Sequence, residues 1–352
     1  MTVDVRPAPA ASRPVVAGSR APTTSPPTTS PPTRSPHDAS DVRAPRDAEY
    51  RVDGSLDRAV NDDTAPGDGA TGNGDLASHA VLGKLTWALR SETGPVRSGN
   101  EDFADAFVPT APDDAWDRGP FFVVADGMGG HAAGEVASRL AVEAALGSWS
   151  AGGGAAPQQG VRAAIRQANT AVYDASLAPG RRGMGTTVVA LTIAGHEAII
   201  GHVGDSRAYL VRAAECAQLT ADHSRVGEMV RMKLLTPEEA ATHPARSQLT
   251  RSLGADLGVQ VDLTRQPVQQ ADTILLCTDG LWDVVSRAEM ADAVKLVAAE
   301  DRPPPTAAVD RLVELALARG ASDNVTALTV TVTSALPIPA AAGRRFFRRG
   351  RP

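Results

Sequence analysis

The chain has 352 residues and a formal net charge of −6 at pH 7. That is room for one or two domains, without the basic excess that marks a nucleic-acid binder. Apolar residues make up 42 % of it, enough to bury a core, yet no run of about 18 apolar residues marks a membrane span.

The first 80 residues read differently from the rest. They hold APAASRPVVAGSRAPTTSPPTTSPPTRSP and then GDGATGNGDL, and their only aromatic residue is Tyr50. Such a segment buries too little apolar surface to offset chain entropy, so residues 1–80 are expected to be a disordered spacer rich in Ser/Thr. The opening MTVDVRPAPA lacks the apolar stretch of a secretory signal. Cys216 and Cys277 lie far apart without CxxC spacing. They are expected as buried free thiols in a reducing, cytoplasmic compartment.

Regular patterning runs from about Leu82 to Thr333. FFVVA (121–125) is a short buried strand. After Gly134, apolar residues recur at Val136, Leu140 and Ala144, which predicts a helix. A second helix follows, with Val161, Ile165, Ala168 and Val172 on one stripe. TTVVALTI (186–193), EAIIGHVG (197–204), AYLV (208–211) and TILLCT (273–278) read as strands. Thr236-Pro237-Glu238-Glu239 and Ser286-Arg287-Ala288-Glu289 are capping boxes that open helices. RPPP (302–305) breaks the chain, and a helix over 307–319 precedes the strand VTALTVTV (325–332). Two helices in succession exclude a strict βαβ repeat. The order predicts an α+β fold with largely antiparallel sheets covered by helices.

Gly127-Met128-Gly129-Gly130-His131-Ala132 matches the dinucleotide fingerprint GxGxxG/A between a strand and a helix. Three features oppose that reading. No second strand ending in an acid follows, Asp126 would repel a pyrophosphate, and the chain is not βαβ. A metal reading explains more. Asp126, Asp205 and Asp279 each stand at the end of a predicted strand, Asp323 stands just before one, and Glu101-Asp102 form a further acidic pair. Any one of these acids is ordinarily a turn or cap residue, as expected for Asp283. Together they can converge at one sheet edge, where bare carboxylates repel and divalent cations remove the penalty. The donors are all oxygen, which suits Mg²⁺ or Mn²⁺ better than zinc.

The motifs VRSGNED, VVADGMGGH, GMGTT, VGDSRAYL, LTADHS, QLTRSLG, CTDGLWD and SDNVT follow one another in order. Over residues 83–334 the chain resembles the metal-dependent serine/threonine protein phosphatases of type 2C, in their bacterial form. The resemblance implies a β-sandwich of two antiparallel sheets flanked by helices, a four-layer αββα fold. It implies that Asp126 bridges two ions, with the Gly127 carbonyl and Glu101 at one and Asp279 and Asp323 at the other. Asp205 with Asp279 matches a third ion site, Asp102 supports the cluster from behind, and Arg97 matches the arginine that grips phosphate. The implied activity is hydrolysis of phosphoserine and phosphothreonine by a metal-bridged hydroxide, without a phosphoenzyme, opposing serine/threonine kinases. Many eukaryotic members carry histidine where Met128 stands, so the general acid is unassigned; His131 is read as a helix-entry residue.

Residues 222–254 correspond to the family's mobile flap and carry Arg225, Arg231, Lys233, Arg246 and Arg251. Expected partners are phosphorylated proteins, among them serine/threonine kinases and their targets, met by a monomer. The tail 335–352 is basic around Phe346 and Phe347; contact of 344–351 with an anionic membrane surface or acidic partner stands beside a simple solvated tail. The alternative function is a non-catalytic metal-binding scaffold on the same fold. A scaffold usually lacks an acid or the phosphate arginine, and none is lacking here. A phosphatase dedicated to one sporulation-type regulator would lack the flap and the third-ion aspartate.

Overall fold

The computed structural model describes residues 76–81, 84–109, 119–129, 131–152, 156–298 and 306–336. The spacer's residues 1–75 and the basic stretch 344–351 lie outside these described residues.

Alternation along the strands decides where each side chain goes. In β2 (Leu85–Glu92), Leu85, Trp87 and Leu89 face one core and Ala88 faces another. In β4 (Phe121–Met128), Phe122 and Val124 join the same core as Leu85, while Phe121, Val123 and Ala125 turn the other way. That is why FFVVA is apolar on both faces: a layer covers each.

Two sheets result, antiparallel at every pairing. One runs β1 (Leu76–Val81), β2, β12 (Val325–Val332), β11 (Thr273–Cys277), β8 (Arg207–Arg212), β9 (Glu215–Gln218). The other runs β10 (Asp262–Pro267), β7 (Glu197–Val203), β6 (Val188–Ala194), β4, β3 (Asp102–Phe107), with β5 (Gly185–Thr186) paired to β4. The sheets share a core of Trp87, Leu89, Phe122, Leu191, Ile200, Leu276 and Leu328. Helices α1 (His131–Ala151) and α2 (Pro157–Ser176) cover the second sheet, and α6 (Arg287–Ala298) and α7 (Ala307–Ala318) cover the first. This is the expected four-layer sandwich. Trp149 of α1 stacks on Phe121 with ring centroids 4.4 Å apart, tying the helix to the strand that carries Asp126. Such a pair is worth about 0.5–1.5 kcal/mol beyond its buried area.

Several local readings change. Strand structure begins at Leu76, inside the segment expected to be disordered to residue 80, because Leu76–Ser78 pair with Trp87–Leu89. At the other end, the expected tail starts inside the fold: Leu336 packs on the inter-sheet core. The run TTVVALTI is broken at Thr187, whose backbone N–H donates to Asp126 O at 2.9 Å and whose Oγ1 accepts from Asp126 N at 3.0 Å. The strand gives up its continuity there to grip the aspartate. Helix α1 begins at His131, ahead of Gly134. Both capping boxes form: Thr236 opens α4 (Pro237–Ala241) with both reciprocal bonds, and Ser286 opens α6.

Candidate metal and phosphate site

Asp102 and Asp126 stand opposite each other on β3 and β4. Asp102 is buried, and its Oδ2 accepts from Thr278 Oγ1 at 2.8 Å and Thr326 Oγ1 at 2.7 Å. It therefore links the second sheet to β12 and to the end of β11 in the first. Burial, with Asp279 and Asp323 nearby, pushes its pKa up to about 7. Asp126 is held well above the usual carboxylate range by loss of water first, then by Asp102, Asp279, Asp205 and Asp323. The acids predicted from separate motifs thus lie close enough to repel one another.

Glu101 is fixed through its backbone. Its N–H donates to Asn324 Oδ1 at 2.8 Å, and its carbonyl accepts from Gly127 N at 3.1 Å and from Ser138 Oγ at 2.6 Å. Helix α1 packs flush against this segment. A Cβ at Gly127 would lie 2.1 Å from Gly134 O, and a Cβ at Gly134 would lie 2.1 Å from Glu101 Oε2. Both positions need glycine for close approach.

Asp279 follows β11 and opens the one-turn helix α5 (Asp279–Trp282). Among the described residues, its buried Oδ1 has no hydrogen-bond partner. Burial, then Asp205 and Asp323, push its pKa up to about 7, with Arg97 opposing. Asp205, 7 % exposed, is pushed up to about 6 by burial and then by Asp222. Trp282 Nε1 donates to Asp205 O at 3.1 Å, and Arg207 lies 3.4 Å over the Trp282 ring while holding Asp222 through two bonds of 2.9 and 2.6 Å. Asp323 Oδ2 lies 2.5 Å from Arg97 Nη2.

The site residues read from sequence, Arg97, Glu101, Asp102, Asp126, Gly127, Asp205, Asp279 and Asp323, therefore gather at one edge of the sandwich. Several supporting residues went unread, among them Ser138, Thr187 and Thr326. Asn324 donates to Thr93 O and Gly99 O at 2.8 and 2.9 Å, stapling the Arg97 loop to the start of β12. Thr278, Trp282 and Gly134 brace the acids as described. Asn324 and Thr278 were adjacent to predicted acids, which was the available signal. Met128 is half-buried; the His131 side chain lies outside the described residues.

The cluster suits hard divalent ions. It offers several carboxylates whose pKa values are raised by burial first and by mutual repulsion second, an unpartnered buried oxygen on Asp279 among the described residues, and oxygen donors throughout. A different group, His202, His223 and Asp262, does not suit one. Its two imidazole rings stack nearly parallel, 10° apart in plane, so their lone pairs do not converge, and Arg251 already holds Asp262 at 2.8 Å.

The flap carries α3 (Arg225–Arg231) and α4 around a small core of Val226, Ala240 and Ala245. Arg246 joins it to the body through both oxygens of Asp283, at 2.8 and 2.7 Å, the structural role expected for that aspartate.

Among the described residues, no helix is long and apolar enough to cross a membrane. A family model described as "Protein phosphatase 2C" matches residues 111–325. The serine/threonine protein phosphatase PstP of Mycobacterium tuberculosis is 38 % identical over 251 residues, 70 % of this chain and 45 % of that relative. The chain thus spans under half the length of that relative. The serine/threonine phosphatase stp of Listeria monocytogenes is 36 % identical over 247 residues, covering 69 % of this chain and 94 % of that protein. Among solved structures, the M. tuberculosis PstP/Ppp crystal structure superposes with a TM-score of 0.62 at 38 % identity, over 71 % of this chain and 99 % of that one. The PstP catalytic domain in complex with two manganese ions superposes at 0.60 with 36 % identity, again over 71 % and 99 %. Fold, motif order and these matches agree, and the chain belongs to the protein phosphatase 2C family.

Proposed function

We propose that this protein hydrolyses phosphoserine and phosphothreonine in proteins, using bound Mn²⁺ or Mg²⁺. The observation that carries it is the meeting of Asp126, Asp279 and Asp323, from both sheets, beside Arg97, with Asp279 Oδ1 left unpartnered. Asp126, Glu101 and the Gly127 carbonyl would hold one ion, and Asp126, Asp279 and Asp323 another. Asp205 with Asp279 would take a third. Bound ions would lower the pKa of a water molecule and offset charge on the phosphoryl oxygens.

The chain's own residues do the rest. Arg97 binds and orients the phosphoryl group through its planar fork. Asp102, held by Thr278 and Thr326, keeps Asp126 opposite it in register. No side-chain nucleophile is required, so hydrolysis is direct, without a phosphoenzyme. Phosphorylated kinases and their targets are the expected substrates, met by a monomer.

A metal-binding scaffold is the competing reading, and the retention of Arg97 and every acid favours the enzyme. The test is phosphate release from a phosphothreonine peptide with Mn²⁺, with Mg²⁺ and with chelator, alongside Asp279→Asn. Metal-dependent release abolished by the substitution supports the enzyme. No release from folded protein with either metal supports the scaffold.

A further inference from the structure

A cavity of about 600 Å³ opens between the flap and the sandwich, with Asp205, Asp279 and Asp323 on its wall. It is continuous with the candidate site. Val226, Val230 and Ala240 from the flap and Trp282 and Val284 from the body give it an apolar lining. Its charges are not balanced. Apart from the three aspartates of the metal edge, the lining holds Arg207, Arg231, Arg246 and Arg287 against Asp222 and Asp283. Asp222 is taken by Arg207 and Asp283 by Arg246. Arg231 and Arg287 are left, both exposed, and among the described residues neither has a carboxylate partner. Arg231 spends one N–H on the Asp222 carbonyl, at 2.6 Å.

We propose that this cavity binds the polypeptide flanking the phosphoresidue, and that Arg231 and Arg287 select an acidic side chain there. The inference rests on the phosphatase reading and names the substrate class for it. Arg287 opens α6 and lines the same cavity as Asp279. An extended peptide advances about 3.3–3.6 Å per residue, so a segment of a few residues in this cavity reaches both. The preferred substrate therefore carries Glu, Asp or a second phosphate within five positions of the phosphothreonine, with an aliphatic residue between them on the apolar lining. Planar guanidinium forks suit carboxylate and phosphate alike.

The test uses the full chain with Mn²⁺ and fluorescent phosphothreonine peptides, uniform except for one Glu or one Lys placed at each position from five before to five after the phosphoresidue. Binding is read by anisotropy at low salt, so it reports on the cavity whether or not turnover occurs. Glu at the position that meets Arg287 is expected to bind about five- to tenfold tighter than Lys there. Arg287→Glu is expected to reverse that preference, Arg287→Lys to keep most of it, and Arg231→Glu to weaken it. Equal binding of Glu and Lys peptides at every position overturns the proposal, as does a preference that Arg287→Glu leaves unchanged. Hydrolysis of p-nitrophenyl phosphate by the wild-type chain, run in parallel, reports on the phosphatase reading alone.

Discussion

Arg97 and Asp323 are partners: Nη2 of one lies 2.5 Å from Oδ2 of the other, both partly exposed. The residue proposed to grip phosphate thus rests on a carboxylate proposed to hold metal. A surface pair of this kind is worth about 1 kcal/mol or less, so a divalent ion held by Asp323 would compete for that carboxylate and leave the guanidinium free to turn toward substrate. Arg97→Ala is expected to bind Mn²⁺ at least as tightly as wild type by calorimetry, while kcat/KM for a phosphopeptide falls about 10²- to 10³-fold. Weaker metal binding in the variant would reverse the proposed order of events.

Asp279→Asn removes one charge from a buried, mutually repelling set. Without metal the variant is expected to melt above wild type, since the repulsion from Asp205 and Asp323 is relieved. With Mn²⁺ the order inverts, because the stabilisation that ligand binding gives the native state is lost. Thermal melts with Mn²⁺ and with chelator check both halves.

Gly134→Ala reverses an ordinary expectation. In an exposed helix interior the change gains about 0.5–1 kcal/mol. Here the new Cβ would meet Glu101 Oε2 at 2.1 Å. Circular dichroism should show the helices retained while Mn²⁺ affinity and phosphate release collapse. Wild-type metal binding would show that Glu101 can move aside.

His223 supplies one component of the pH dependence, opposed by the buried acids Asp102, Asp205 and Asp279. Its Nδ1 accepts from Gly204 N at 3.0 Å, it stacks on His202, and Asp262 and Arg251 face its Nε2. Burial first, then His202, lower its pKa to about 4. The unfolded imidazole titrates near 6.5, so this contribution to stability is complete above that pH. It is lost as pH falls toward about 4, where the unfolded chain takes a proton that the folded chain refuses. His223→Asn keeps an acceptor for Gly204 N–H and removes the titration. Urea unfolding should show wild type losing stability relative to the variant as pH falls from 7.5 to 5.

Arg246→Ala cuts the tie between flap and body. Global stability is expected to change by under about 1 kcal/mol, as for other exposed pairs. Amide exchange across Arg225–Ala241 is expected to quicken. Unchanged exchange would mean that the small core around Val226 and Ala240 holds the flap unaided.

Much of this was legible in the sequence because single segments carried it. FFVVA, TILLCT and VTALTVTV declared themselves by composition, and the capping boxes at Thr236 and Ser286 declared helix starts. The acids were legible because each ended or preceded such a strand. β3 and β10 were not: DFADAF and DLTRQP mix charge into every face, and only pairing to β4 and β7 makes them strands. Asn324 was not legible either. Its importance lies in holding Thr93 and Gly99, far away in the chain, and no local pattern reports that. Thr187 looked like strand interior because the reason for its break, Asp126, comes from another strand.

Among the described residues the last strand in chain order, β12, lies between β2 and β11 rather than at an edge. Asp323 and Asn324 stand at its entrance, and Asn324 fastens the loop that bears Arg97 and Glu101. Until β12 is inserted, β2 and β11 have open sides facing each other, and the acids of the two sheets lack the bonds from Thr326 to Asp102 and from Glu101 N–H to Asn324 that help hold them in register. Such closing of distant segments is slow relative to local folding. A chain still emerging during synthesis would therefore carry most of the acidic residues yet leave the acidic edge unassembled, completing it in a single late step.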